Sequence, residues 1–284
     1  MPSNLNTVNN GIYITKKHYF NFTLDIDVYE CLYITVSDYS NCARQANQYE
    51  RWFIMLNLSD KELASKIQHT NVNPELTPDD IRGLCDDCKH FGFNGVMIQP
   101  QWVTLAKEEL KGTNIQVATC MSFPMGAQKT EVKVFEAQRC FADGADQLDW
   151  MPNVGFLKAG MYDEYQNEIA AVVKAAGGKV VKIMLEFGML TREEKIKAAE
   201  LARDAGATYL KNSSGWGKGG HATIDDIQLL KRIAQDKCEV KASGGIRTRQ
   251  QALSLLEAGA SLLGTSAGPQ IITGIKGNDD SIAD

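Results

Sequence analysis

Long apolar runs are missing from this chain of 284 residues. A membrane-spanning helix needs about 18–20 consecutive apolar residues, and a stretch such as VVKIML at 180–185 is both short and interrupted by Lys182. The N-terminus has no basic start followed by an apolar stretch, so it does not read as a secretory signal. Dense Lys/Arg runs are absent too, and 30 Lys plus Arg against 35 Asp plus Glu leave a net charge of −5. That excludes a whole-chain basic field for nucleic acid. The Gly-x-Gly patterns do not fit a dinucleotide fingerprint. Seven cysteines, an odd number scattered through the chain, do not make a disulfide framework. Cys85 and Cys88 form a lone CxxC without the second ligand pair that zinc needs. Their spacing with Ile81, Leu84 and Phe91 instead suits two thiols on a buried helix face. The expectation is a cytoplasmic chain, in a reducing setting, with neither membrane nor nucleic acid as partner.

What is present is an ordinary globular composition, 44% apolar and 23% charged. Residues 1–54 stand apart: they are rich in Asn, Tyr and Phe, lack repeated helix signals, and include YFNFTLDIDVYECLYITV at 19–36, which could form strands. They read as an N-terminal extension of unknown role. The main domain is expected over 55–276, starting at Met55, with a short tail at 277–284.

From residue 60 onward, short apolar segments alternate with amphipathic helices. Eight such segments occur: 65–70, 95–100, 116–123, 146–152, 180–186, 208–214, 239–245 and 261–266. Thr77-Pro78 opens one helix, and Thr191 with Glu194 and Thr248 with Gln251 have capping-box spacing. In HFGFNG, FADGAD, RDAGAT and LEAGAS a Gly closes a helix and a strand follows. Eight strands alternating with helices predict parallel pairing and, better than an open doubly wound sheet, a closed (β/α)8 barrel.

Strand alternation then locates a charged interior. Leu148 and Trp150 oppose Asp149; Val181, Ile183 and Leu185 oppose Lys182 and Glu186; Leu210 opposes Lys211; Val240 and Ala242 oppose Lys241. With the apolar faces turned to the helix layer, Asp149, Lys182, Lys211 and Lys241 all point to the barrel axis. An ion-pair cluster kept for stability would balance its signs. Here three lysines converge with one Asp and one Glu, Asp149 and Glu186, near the C-terminal mouth, where barrel active sites sit, which predicts function instead. The chemistry suggested is carbonyl capture by a neutral lysine amine. A second ammonium about 4 Å away, at an effective dielectric near 20, favours that neutral form by roughly 4 kcal/mol. A nearby carboxylate can shuttle protons. Ser243-Gly244-Gly245 and Gly264-Thr265-Ser266, after the seventh and eighth strands, occupy the usual phosphate-binding loops of this fold. Gly215-Trp216-Gly217-Lys218-Gly219-Gly220 after the sixth strand could close over them.

From about 60 to 274 the chain resembles the deoxyribose-phosphate aldolases. The motifs that carry the resemblance include IQHTNVNPELT (67–77), GADQLDWMPNVGFLKAG (144–160), VVKIMLEFGMLTREEK (180–195), GATYLKNSSGWGKGGH (206–221) and VKASGGIRT (240–248). The resemblance implies a Schiff-base lysine at Lys211, an auxiliary lysine at Lys241 and a proton-relay acid at Asp149. It implies phosphate binding by Gly215, Ser243, Gly244, Gly245, Gly264, Thr265 and Ser266 with Arg247 nearby, support from Lys182 and Gln68, and no metal or organic cofactor. The partners would be phosphosugar and aldehyde substrates, and the chain a homo-oligomer, dimer or tetramer. Several positions depart from the family pattern. Gln68 stands where an acid is usual, Asn212 where a Thr is usual, the extension is not a family feature, and the last tyrosine is Tyr209. A different Schiff-base aldolase for another phosphosugar, or a catalytically impaired phosphosugar-binding protein, remain open readings. His69 is expected to orient the mouth of the site or to be a satisfied structural residue, His221 to be exposed, and Trp102 and Trp150 to face core or helices.

Overall fold

The computed structural model of the chain describes residues 6–8, 11–13 and 58–275. By its contacts the chain divides into Met1–Leu56 and Asn57–Asp284. In the first unit Asn6–Val8 pairs antiparallel with Gly11–Tyr13. The strands expected over 19–36, the boundary at Met55 and the tail at 277–284 lie outside the described residues.

The second unit is a closed parallel barrel of eight strands, as the alternation predicts. They are β1 (Ile67–Thr70), β2 (Gly95–Ile98), β3 (Gln116–Met121), β4 (Gln147–Trp150), β5 (Val180–Met184), β6 (Tyr209–Lys211), β7 (Glu239–Ser243) and β8 (Leu262–Thr265). Each pairs with the next, and β8 closes on β1. The helices are α1 (Asp60–Ala64), α2 (Pro78–Phe91), α3 (Val103–Glu109), α4 (Thr130–Ala142), α5 (Val154–Lys158), α6 (Tyr162–Ala175), α7 (Arg192–Asp204), α8 (Ile224–Ala234), α9 (Arg249–Glu257) and α10 (Gly268–Thr273). No helix among the described residues is long and apolar enough to cross a membrane.

Local chemistry sets the ends of these elements. Capping boxes open α2 at Thr77 with Asp80, α7 at Thr191 with Glu194 and α9 at Thr248 with Gln251. Each joins two backbone N–H groups that the helix leaves unpaired to side-chain acceptors. Gly92, Gly144, Gly206 and Gly259 follow their helices with φ of 73°, 109°, 91° and 118°. A side chain at such positive φ is strained, so glycine lets the chain reverse into the next strand. The core between barrel and helices holds the outward strand residues, among them Val181, Ile183, Leu210, Val240 and Ala242, all buried. Trp150 is buried there, while Trp102 is half-buried. Cys85 and Cys88 are buried free thiols of α2, and burial pushes the Cys85 thiol up to about 11.

One buried ion pair in this wall has no local mark in the sequence. Lys133 of α4 bonds Glu168 of α6 at 2.9 Å and donates to the carbonyls of Gly126 at 2.7 Å and Met151 at 3.2 Å. The other Glu168 oxygen accepts from the Asn153 backbone N–H at 2.7 Å. Every strong charge-assisted direction is filled, which is what makes a buried pair tolerable.

Candidate active site

The register of the strands brings the four inward charges together. Asp149 lies beside Lys182 across β4 and β5, and Lys211 beside Lys241 across β6 and β7. Asp149 collects all three ammonium groups. Its Oδ1 accepts from Lys182 at 3.0 Å, and its Oδ2 accepts from Lys211 at 3.0 Å and Lys241 at 2.7 Å. Lys241 also donates to Gln68 Oε1 at 2.5 Å, and Gln68 Nε2 donates to Gln147 Oε1 at 2.7 Å. That relay fixes the amide orientation of Gln68, so a neutral residue serves Lys241 where the family pattern has an acid.

Burial separates the three lysines. Lys182 and Lys241 are fully buried, while Lys211 is 4% exposed. Only Lys211 of the three reaches the wall of the cleft above. Burial opposes the charge of Asp149, but the Lys182, Lys241 and Lys211 ammonium groups outweigh it and hold the carboxyl well below the usual carboxylate range. Burial lowers Lys182 and pushes Lys241 well below the ordinary lysine value, despite the attraction of Asp149.

The cleft, about 690 Å³ with its open mouth, contains every glycine-loop residue expected to bind phosphate: Gly215, Ser243, Gly244, Gly245, Arg247, Gly264, Thr265 and Ser266. Their backbones and side chains have different duties. The Thr265 hydroxyl donates to Ile246 O at 2.6 Å and accepts from Ala267 N at 3.0 Å, tying together the loops after β7 and β8. Ser243 Oγ has no hydrogen-bond partner among the described residues. A Cβ on Gly264 would run into Ser243 Oγ and approach Lys241 Cε to 3.0 Å, so glycine there makes room for Lys241. Asn212 explains its own departure from the family pattern. Its Nδ2 donates to Ser243 O at 2.9 Å and its Oδ1 accepts from Ser243 N at 2.8 Å. A Thr would have to make both bonds through a single oxygen, whereas the Asn amide uses two separate atoms.

Three expectations need correction or completion. Glu186 does not join the lysines. It lies past the end of β5 with φ 53°, where strand alternation no longer applies, and its carboxylate accepts from the backbone N–H and the hydroxyl of Ser214. The cluster therefore has one carboxylate, and burial raises the pKa of Glu186. His69 does not orient the mouth. It sits between Gln68 and Thr70, hence on the helix side of β1, 3.3 Å from Asp87 and 5.3 Å from the Phe93 ring. His221 is exposed as expected, its ring set against Gly245. The cleft also uses residues not singled out beforehand, Asn71, Val72 and Asn73 after β1, and it includes Trp216 of the loop after β6, which meets Phe123 edge-on at 5.7 Å. Inside the barrel beside Lys211 lies an apolar, sulfur-bearing group of Met97, Cys120, Met151 and Met184. Among the described residues no three His, Cys, Asp or Glu side chains gather as a metal site requires.

An inward lysine pair sharing one aspartate, under glycine loops, can be compared with known proteins. The family model of DeoC/LacD family aldolases matches residues 59–274. The chain belongs to that family of carbon–carbon lyases. It is 48% identical over 219 residues to the deoxyribose-phosphate aldolase of Thermococcus gammatolerans, covering 76% of this chain and 97% of the relative. The deoxyribose-phosphate aldolase of Thermococcus kodakarensis is 47% identical over 221 residues, covering 76% of this chain and 98% of that one. Among solved structures, the tetrameric deoxyribose phosphate aldolase of Aeropyrum pernix superposes with a TM-score of 0.73 at 27% identity, covering 80% of this chain and 96% of that one. The aldolase QR15 gives 0.71 at 33% identity, covering 74% and 94%. Residues 1–58 fall outside the family match.

Proposed function

We propose that the protein cleaves 2-deoxy-D-ribose 5-phosphate reversibly to D-glyceraldehyde 3-phosphate and acetaldehyde through a Schiff base on Lys211. The observation that carries this reading is the difference among the three lysines. All three hold Asp149, yet of the three only Lys211 lines the cleft, whose walls include the glycine loops. Relatives named deoxyribose-phosphate aldolase over nearly their whole length support the choice of substrate.

The amine of Lys211 adds to the C1 aldehyde, and loss of water leaves an iminium. That cation draws the C2–C3 electrons as the C3 hydroxyl gives up its proton. The bond breaks, glyceraldehyde 3-phosphate leaves, and an enamine remains on Lys211. Protonation at C2 and hydrolysis release acetaldehyde. Asp149 Oδ2, bonded to both Lys211 and Lys241, is the relay for these protons. Gly215, Gly244, Gly245 and Gly264 offer backbone N–H groups and close approach for the phosphate, with Arg247 and Ser266 beside them. The chemistry as written draws on the protein's own groups. The proposal includes a homo-oligomer, by analogy with the tetrameric Aeropyrum pernix relative, and a cytoplasmic setting, supported by five described cysteines that are all free thiols.

Borohydride trapping with acetaldehyde, followed by peptide mapping, tests the reading. The expected adduct is on Lys211 alone. An adduct on another lysine overturns the assignment, and no adduct with a folded protein leaves a phosphosugar-binding protein.

A further inference from the structure

Three amines share one carboxylate, two of them fully buried and the third, Lys211, at the wall of the cleft. Such a site cannot hold three buried positive charges against a single negative one. The geometry says how the single balance is allotted. Asp149 gives one oxygen, Oδ1, to Lys182 alone, and the other, Oδ2, to Lys211 and Lys241 together. Lys182 approaches from a different level. Its β6 neighbour in the register is Tyr209, two residues before Lys211, and its ammonium lies 5.8 Å from the Tyr209 ring centre. It is fully buried and absent from the cleft wall, so it cannot meet a substrate.

We infer that Lys182 is a positioning residue: its ammonium is the permanent counter-charge of Asp149, and this leaves the Lys211–Lys241 pair with no carboxylate charge of its own, so that one amine of that pair is free to act as nucleophile. The inference rests on the Schiff-base reading of Lys211 and adds to it the source of the neutral amine. The part first expected of Lys241 falls to Lys182. Burial lowers both Lys182 and Lys241, against the attraction of Asp149. The ionisable groups around Lys182 are Asp149 on β4, Tyr209 and Lys211 on β6 and Lys241 on β7; Cys120 on β3 and Glu186 past β5 border the same space. Burial pushes Cys120 up to about 12, raises Tyr209 and raises Glu186, so each of these three is displaced toward its neutral form. Asp149 is the anion of the site at rest.

The test is the pH dependence of kcat/KM for deoxyribose 5-phosphate in Lys182→Met, Lys182→Gln and Lys182→Arg, with borohydride trapping of acetaldehyde run alongside. Gln keeps a donor for Oδ1 but removes the charge, whereas Arg keeps the charge at every accessible pH. In Met and Gln, Asp149 is released to stabilise a second ammonium on the lysine pair. The acidic limb should move up by about one to two pH units, with the high-pH plateau recovered to within about threefold. In Arg the limb should stay within about 0.3 units of wild type. A limb that does not move in Gln, or a loss that is equal at all pH values, overturns the inference and leaves Lys182 a packing residue. Absence of the Lys211 adduct in the wild-type protein would instead remove the Schiff-base reading itself, independently of any shift.

Discussion

Two buried charge sites lie within one barrel, and they are built to opposite rules. Lys133 and Glu168, in the helix wall, balance one to one, and both carry further hydrogen bonds to backbone groups. Lys182, Lys211, Lys241 and Asp149, on the axis, stand three to one. A satisfied pair has no reason to exchange a proton. An unbalanced set must shed one, and what it sheds is available for chemistry. Charge stoichiometry, rather than burial, separates the scaffold from the reactive centre.

The largest break of this contrast is Lys211→Ala. It should abolish both the borohydride adduct and aldol cleavage, read by mass spectrometry and by aldehyde release. Asp149→Asn comes next. Cleavage should fall by roughly 10³-fold, as expected for loss of a proton relay. Stability should fall by about 3 kcal/mol, because three buried amines lose their only anion; denaturant melts measure it.

In the wall pair, Lys133→Met should cost about 3–5 kcal/mol by isolating Glu168, and the double change Lys133→Met with Glu168→Leu should recover most of that. The Lys211 adduct should persist in both. No paired apolar replacement on the axis should recover activity. Lys241→Met sharpens the comparison through pH. The folded value of Lys241 lies below its unfolded one, so the unfolded chain binds the proton more tightly. Wild-type stability therefore rises with pH between the folded value and about 10.4, the unfolded one. Thermal melts of Lys241→Met over pH 7–10 should lose part of that slope while activity drops. The smallest effect is expected from starting the protein at Met55: kcat should stay within about twofold, since the family match begins at residue 59. An inactive but folded truncation would give residues 1–54 a role in the site or the oligomer.

The same contrast explains what could be read in advance. A lysine within an apolar strand breaks a period-two pattern, so Lys182, Lys211 and Lys241 announce both their face and their oddity. Lys133 sits on a helix, where a lysine every few residues is ordinary, and its partner lies 35 positions away. Nothing local marks it as buried. Glu186 was misread because alternation was carried one step past the end of β5 into a left-handed residue. The helix caps at Thr77, Thr191 and Thr248 were legible because both partners lie within four residues. The cleft residues Asn71 and Asn73 were not, since loops have no period and their positions depend on the strands they join.

The loops after β5 and β6 fit together without clearance. A Cβ on Gly188 would lie 2.8 Å from the carbonyl carbon of Gly219, and one on Gly219 would lie 3.0 Å from the Glu186 carboxyl carbon and from Ser214 Oγ. Neither loop can gain bulk unless the other retreats in the same step. A combinatorial library that randomises residues 186–190 alone should therefore return glycine at 188 among its active members, and so should one confined to 214–220 at position 219. Only a library that varies both segments together has a route to a differently shaped entrance.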